Sequence, residues 1–518
     1  MSNTGRSARH SWRVVWTLML GGVLLLGGRL AALAQDSGWS EPVALSDSTL
    51  WSWFPDLAVD VYGTPHVVWC WTEPVEVEGG EEGGLQEQVM YTSRREGVWE
   101  RPNDIVPRSA DIIRNAIATD QAGNIHLVFG GSVYDVFRLY YQRAPVDKAW
   151  SAAAWSKPRL LNQGRGYMGD IVVDSKGWLH VIYDDTRDTS SKRRVLADIY
   201  YRRSTDGGET WSLSRILYEA PLTGSTKPQM KIDSNDVIYV TWEEGWDRLT
   251  GAVEDDRYAV YLASLDGGET WTEPRLIEYP DAAVVQLAAG SDGKGGVMLV
   301  WRSMKQDLIF YQWSNDGGQT WQEPDVIPQI FARPWTNPHD IYDMATDSDG
   351  RIHLVVVGRS SLDQNALQKV VHLVWDGRRW SAPATIFAQQ GLYPQYSKIV
   401  VYEGNQLYAT WFTWEGSVWE QDVSRVVWYS QRQISAPRTP VTPWPTATPV
   451  VEQATPTPNP TPTPTPYPQF NREESGLPDG LYTENDEVFQ VMIALSPVAL
   501  VIGVLAVMRG RWGRRFFG

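Results

Sequence analysis

One nine-residue phrase occurs three times in the 518-residue chain, as Ser204-Thr-Asp206-Gly-Gly208-Glu-Thr210-Trp211-Ser, Ser264-Leu-Asp266-Gly-Gly268-Glu-Thr270-Trp271-Thr and Ser314-Asn-Asp316-Gly-Gly318-Gln-Thr320-Trp321-Gln. Self-similarity of this kind restricts the chain to a repeat architecture. A second signal recurs seven times, a short apolar run placed just after a turn rich in Asp, Gly or Asn. Its copies are His66-Val-Val-Trp69, His126-Leu-Val-Phe129, His180-Val-Ile-Tyr183, Tyr239-Val-Thr-Trp242, Met298-Leu-Val-Trp301, His353-Leu-Val-Val356 and Tyr408-Ala-Thr-Trp411, with an average period of 57 residues. Each repeat has room for four short strands rich in Val, Ile, Tyr and Trp and separated by Gly and Asp turns, which predicts an all-β array. Four-stranded units at this period predict a β-propeller of seven blades, with six blades as the alternative.

The two ends of the repeat region complement one another. Gly38-Trp-Ser-Glu-Pro-Val-Ala-Leu-Ser46 reads as a fourth strand with no blade of its own, and the last repeat, after Val426-Val-Trp-Tyr-Ser430, lacks one. The N-terminal strand is therefore expected to complete the seventh blade and remove an open sheet edge.

The Ser-x-Asp-x-Gly-x-Thr-Trp phrase is the Asp-box, or bacterial neuraminidase repeat, and residues 38–437 resemble the sialidase-like Asp-box propellers. Degenerate boxes occupy residues 93–99, 147–155 and 376–380. The resemblance places each box in the hairpin between the third and fourth strands, on the face away from the ligand site. The residue types suit a structural turn: Asp accepts from turn amides, Gly takes positive φ, and Trp is buried between blades. Calcium binding is the weaker reading, because each turn supplies one carboxylate where calcium takes roughly six to eight oxygens. The resemblance also implies three Arg holding a substrate carboxylate, a Tyr nucleophile paired with a Glu, and an Asp acid–base. Where the family has Arg-Ile-Pro in the first blade, this chain has Trp53-Phe54-Pro55, and sialidases have six blades. Arg114 and Arg302 are the available candidates for an arginine set, and Tyr393 or Tyr396 begins the last blade, where the family has its Tyr.

The repeats act as an internal control. Of seven His residues, His66, His126, His180 and His353 share one repeat position and read as strand residues held by packing or hydrogen bonds, while His339 and His372 are too few to assemble a zinc site. No metal or cofactor is expected. The positions following each strand-two run are Cys70-Trp71, Gly130-Gly131, Asp184-Asp185, Glu243-Glu244, Arg302-Ser303, Val357-Gly358 and Phe412-Thr413. Charges fall on three consecutive blades, so Asp184, Asp185, Arg187, Glu243, Glu244 and Arg302 are expected to face one sector of the mouth, with Trp246 as an aromatic platform. Paired carboxylates near an aromatic ring serve both glycoside hydrolysis and the holding of sugar hydroxyls. A solvated rim, or local ion pairs such as Asp184 with Arg187, is the plainer alternative. Arg114, His339 with Asp340, and Tyr393 with Tyr396 are secondary candidates from the loops before strand one.

The termini add topology. Arg6, Arg9 and Arg13 precede an apolar run, residues 14–26, and Ala32-Leu-Ala34 supplies small residues for cleavage, so residues 1–34 read as a signal peptide, with an uncleaved signal anchor as the alternative. After the propeller, assigned to residues 35–437, a Thr/Pro-rich stretch at 438–470 is expected to be an extended stalk. An acidic segment at 471–487 leads to the apolar run 488–508, long enough for one membrane span. The basic tail 509–518 places that end in the cytoplasm and the propeller outside. Leu477-Pro-Asp-Gly480 only partly matches a sortase signal, lacking the Thr. Cys70 is the single cysteine, so no intramolecular disulfide forms, and its place after a strand suggests a buried, inert thiol. A net charge of −16 argues against a nucleic-acid partner. The preferred reading is a cell-surface, membrane-anchored propeller that binds glycan or another extracellular ligand. An exo-acting glycosidase using Asp184, Asp185, Glu243 or Glu244, and a scaffold or assembly factor for a membrane protein, are the alternatives.

Overall fold

The computed structural model describes residues 38–444 apart from 48–50, 77–81, 108–111, 134–136, 187–195, 221–222, 247–252, 336–339 and 416–423. The signal region, the Thr/Pro stretch beyond Trp444 and the apolar run 488–508 lie outside the described residues. Among the described residues no helix is long and apolar enough to cross a membrane.

The protein is all-β. Several four-stranded antiparallel sheets follow one another along the chain, an arrangement consistent with a sialidase-like propeller. Unit two, for example, runs from inner strand Ile112–Thr119 through Asn124–Gly131 and Arg138–Pro145 to outer strand Arg159–Leu160. Units three, four and five repeat this order from inner strands Gly169–Val173, Gly224–Ile232 and Val284–Ser291. In unit six the inner position is divided between Phe331–Ala332 and Asp343–Thr346, both paired with Ile352–Arg359. Units one and seven belong to one nine-stranded sheet, joined where Trp51 of inner strand Trp51–Val59 meets Arg425 of strand Arg425–Gln433 in parallel.

The N-terminal strand closes unit seven as the sequence suggests. Val43–Ala44 pairs antiparallel with Arg425–Gln433, Val43 opposite Tyr429 and Ala44 opposite Trp428. Ser40 N and Leu45 N extend the ladder to the carbonyls of Gln431 and Val427, both at 2.8 Å.

Each box Trp crosses to the unit before it. Trp211, Trp271 and Trp321 set their edges against Tyr141, Tyr201 and Tyr261, with centroids 5.0, 5.0 and 5.6 Å apart. The degenerate boxes keep the same contact, as Trp99 on Tyr429, Trp155 on Tyr91 and Trp380 on Tyr311. Trp39 of the closing strand makes it with His372. One aromatic pair therefore stands at every junction from unit one round to unit seven, each contributing about 0.5–1.5 kcal/mol beyond its buried area.

The polar residues of the box hold its turn. In all three full copies the Ser hydroxyl accepts from the second Gly amide and donates to the Asp, whose carboxylate also accepts from the Thr amide at 2.8 Å. Gly208 has φ +87°, and a Cβ there would sit 1.9 Å from the Tyr141 hydroxyl, so the same glycine that permits the turn admits the tyrosine of the preceding unit.

The repeated histidines are structural as well. His66 and His126 each bridge a third-strand tyrosine hydroxyl at 2.7–2.8 Å and a turn aspartate at 3.2 Å, and His180 meets the Tyr201 hydroxyl at 2.7 Å with Asp174 3.4 Å from its other ring nitrogen. His353 uses His372 in place of tyrosine, and in unit four Tyr239 reaches Asp233 directly. Cys70 is buried with Asn115 Nδ2 3.1 Å from its sulfur, and burial raises its pKa far above the ordinary thiol value.

The chain does not leave the domain at Pro437. Pro437 O accepts from Ser348 Oγ, Thr439 N donates to Glu403 O at 2.8 Å, and Arg438 pairs with Glu403. Further on, Trp444 N donates to Gln121 O at 2.8 Å and the Trp444 ring lies over Gly177. Residues 437–444 thus pass from the inner turns of units six and seven to those of units two and three.

Candidate functional site

Strand-one bulges build the site. Register shifts interrupt the inner strands between Trp53 and Asp56, Ile112 and Arg114, Thr226 and Gln229, Val285 and Ala288, and Gln395 and Lys398. At four of them a residue other than glycine holds a left-handed backbone, Phe54 at φ 52°, Lys227 at 53°, Gln286 at 59° and Tyr396 at 54°. Such conformations cost energy and collect at functional sites, where a bulge re-aims a side chain.

All four lie six residues before the residue that ends the inner strand and opens its turn, Asp60, Asp233, Asp292 and Tyr402, and the same count back from Asp120, Asp174 and Asp347 gives Arg114, Met168 and Ile341 in the remaining units. Five of these seven positions, Arg114, Met168, Lys227, Ile341 and Tyr396, line one small cavity of about 20 Å³, open to solvent, together with Gly169, Pro228 and Gln229. Side chains from units two, three, four, six and seven meet in one place only if that place is the common axis. The cavity is accordingly axial.

Its lining includes two cationic side chains, Arg114 and Lys227. The Arg114 guanidinium lies 3.7 Å from the Phe54 ring centroid and 4.7 Å from that of Tyr396, both within cation–π range. Lys227 Nζ reaches both Glu243 oxygens at 2.8 and 2.7 Å, and burial lowers its pKa to about 8 against the opposing pull of Glu243. Beneath this ring Asp56, Asp170 and Asp343 accept the backbone amides of Ile117, Met230 and Ile399 from the next unit, at 2.8, 2.8 and 2.9 Å, which ties adjacent inner strands together.

The carboxylates expected at the mouth occupy different places. Asp184 is fully buried and accepts from the amides of Tyr167 and Met168 at 2.9 and 3.1 Å. Asp185 is buried against Gly164 N, and desolvation raises its pKa. Both act as anchors for the loop preceding the third inner strand rather than as an open acid pair or a solvated rim. Glu243 holds Lys227 and the Gln286 amide, the latter at 2.8 Å. Glu244 accepts from Ser225 Oγ at 2.5 Å and Trp242 Nε1 at 2.6 Å. Arg302, which the sequence placed beside them, is buried in unit five, donating to Arg333 O at 2.6 Å and pairing with Asp307 at 3.2 Å. The expected single sector is therefore not formed: none of these five lines the axial cavity.

Of the secondary candidates, Arg114 and Tyr396 come together on the axis. Tyr393 is half-buried further along the same strand, and Asp340 holds the Tyr396 amide at 2.8 Å and the Arg333 side chain at 3.2 Å. Arg187 and His339 lie outside the described residues, as does the side chain of Trp246. Met168, Lys227 and Ile341 escaped the sequence reading, which compared repeats after strand two and not six residues before the strand-one turn. Among the described residues no group of three or more His, Cys, Asp or Glu is arranged to hold a metal ion.

Glu244 yields a pH prediction. Burial raises its pKa to about 7 from an ordinary 4.5, with the Ser225 and Trp242 hydrogen bonds opposing that rise. A raised carboxyl stabilises the fold below the unfolded value, and the contribution is lost as pH climbs through the folded one. Wild-type stability is thus expected to fall between about pH 4.5 and about 7 by roughly 3 kcal/mol, and Glu244→Gln to flatten that slope in denaturant melts. A slope unchanged in the variant would contradict the assignment.

The BNR repeat-like domain matches residues 143–409, just over half of the chain. The chain belongs to the BNR repeat-like family. No match is found among curated proteins. Solved structures similar to this BNR protein include an unknown-function protein from Dyadobacter fermentans, 14% identical over 77% of this chain and 100% of that one with a TM-score of 0.44. The NanB sialidase of Streptococcus pneumoniae is 15% identical over 77% of this chain and 71% of its own, with a TM-score of 0.41. An ulvan lyase bound to a sulfated glucuronate–rhamnose saccharide is 13% identical over 74% of this chain and 95% of its own, with a TM-score of 0.49.

Proposed function

We propose that this protein is a seven-bladed propeller that recognises an acidic saccharide at its axial cavity, carried on the outer cell surface by the C-terminal apolar run 488–508. One observation carries the reading. Arg114 and Lys227 enter the same axial cavity beside the rings of Phe54 and Tyr396 and the apolar Met168 and Ile341. A guanidinium held flat by rings presents its donors to a carboxylate, and the apolar side chains suit the face of a sugar ring.

Recognition is favoured over hydrolysis because, although Tyr396 lines the cavity, among the described residues lining it there is no carboxylate to serve as the acid–base beside that tyrosine. Titration of the protein with galacturonic acid and N-acetylneuraminic acid, against galactose as the neutral control, tests the proposal. The acids are expected to bind and galactose not, and Arg114→Gln to weaken acid binding by about tenfold or more. Equal binding of galactose, or indifference to Arg114→Gln, would refute it. Release of sugar from a sialylated or uronate-containing substrate would instead make the protein a hydrolase.

A further inference from the structure

A second cation stands beside the axial cavity, at the seam between units seven and one. The Arg425 guanidinium carbon lies 3.9 Å from the Trp414 ring centroid, 4.3 Å from Trp51 and 4.4 Å from Trp53. The residue is 5% exposed. Among the described residues no hydrogen bond or ion pair reaches it, and its Nε and Nη1 are buried without an acceptor. The nearest acidic influence is Glu87, whose oxygens take the Thr72 hydroxyl at 3.0 Å and the Ile112 amide.

A cation removed from water without a carboxylate partner is costly, and aromatic faces return only part of that cost. The chain as a whole carries sixteen more acidic than basic charges, so a lone buried arginine is conspicuous. Nη2 is the one guanidinium nitrogen not enclosed, and the three tryptophans around it are only half-buried. An anion donor and half-buried indole rings thus lie side by side.

The seam is continuous with the axial site. Trp53 stacks on Phe54 at 4.9 Å and 16°, and Phe54 carries the Arg114 guanidinium at 3.7 Å. Arg425, Trp53, Phe54 and Arg114 form one row, with the two guanidiniums no farther apart than the three separations along it. That row has the form expected of a site for a short charged polymer: an anion donor at each end, with rings between.

We infer that Arg425, framed by Trp51, Trp53 and Trp414, is a second anion subsite, and that the ligand is an acidic oligosaccharide whose acid groups recur along the chain, one received by Arg114 and another by Arg425. This rests on the axial cavity's taking the first acid group. Trp53 is taken up by the Arg425 guanidinium and the stacked Phe54, so the half-buried rings of Trp51 and Trp414 are the ones left to receive the apolar faces of the intervening sugar rings.

The test is titration of the full-length protein with galacturonic acid and with its α-1,4-linked trimer. The trimer is expected to bind at least about tenfold more tightly than the monomer, and more steeply salt-dependently, since it engages two cations. Arg425→Gln is expected to bring the trimer down to monomer affinity and to leave the monomer unchanged. If that variant fails to fold, the salt dependence of the wild type decides, a monomer and trimer of equal slope overturning the inference. Equal affinity of monomer and trimer in the wild type, or equal weakening of both in Arg425→Gln, overturns it as well. Trimer binding that needs Arg425 but not Arg114 sustains the seam subsite and sinks the axial one. Monomer binding that needs Arg114, with no gain from length, does the reverse. Absence of binding by either saccharide sinks both.

Discussion

Deletion of residues 38–46 is expected to abolish the cooperative thermal transition or to lower its midpoint by on the order of ten degrees or more. The deletion removes the outer strand of unit seven and with it the Val43–Tyr429 and Ala44–Trp428 pairings. It also uncovers strand Arg425–Gln433, whose free edge then becomes a template for pairing between molecules. The milder substitution Trp39→Ala isolates one part of this effect. It breaks the edge contact with His372, the member of the aromatic series that joins units six and seven. Truncating a large buried ring costs about 3–5 kcal/mol, less where the ring is partly exposed, as Trp39 is. Circular dichroism melts of the two variants separate the readings: a deletion variant that melts like the wild type would show that the ring does not depend on its N-terminal strand.

Lys227→Met is the second large effect, expected to cost about 3–5 kcal/mol, because it leaves the Glu243 carboxylate buried without its principal cation. Glu243 takes both hydrogen bonds from Lys227, and the nearest other cation, Arg257, stands 3.8 Å away. The reciprocal Glu243→Leu frees the Gln286 amide as well as Lys227 and is expected to be at least as damaging. Combining the two removes both charges, so the double variant is expected to be more stable than the sum of the single losses implies. Denaturant unfolding of the four proteins completes the cycle. Additive losses would mean that the pair is not coupled.

Much of the architecture was legible because it is repeated. The Asp-box predicted an interblade tryptophan, and Trp211, Trp271 and Trp321 each lie on a tyrosine of the preceding unit. Four histidines at one repeat position predicted a structural role, and the contacts of His66, His126 and His180 with tyrosine and aspartate supply it. The candidate site was legible only in part. Arg114 and Tyr396 stood out as singletons and do meet, whereas Asp184 and Glu243 were chosen for their charge at a position where the outcome depends on local backbone. Asp184 turns to the amides of Tyr167 and Met168, and Glu243 turns to a lysine sixteen residues earlier. The inner-strand bulges decide which side chains reach the axis. A bulge adds a residue without announcing itself in the hydrophobic alternation; Pro55 and Pro228, each just after a left-handed residue, are its faint trace.

The run from Pro437 to Trp444 alters how this protein bears a pull on its C-terminal end. A chain leaving directly from strand Arg425–Gln433 would transmit tension to the last strand of the ring and unzip its ladder one hydrogen bond at a time. Here the tension first meets Trp444, held at Gln121 and Gly177, and then the clasp of Arg438 and Thr439 on Glu403. The load is divided among units two, three, six and seven before it reaches the strand that closes the circle. Under such a pull the last residues of the domain would yield in stages, like a mechanical fuse, before the seam where the ring begins and ends.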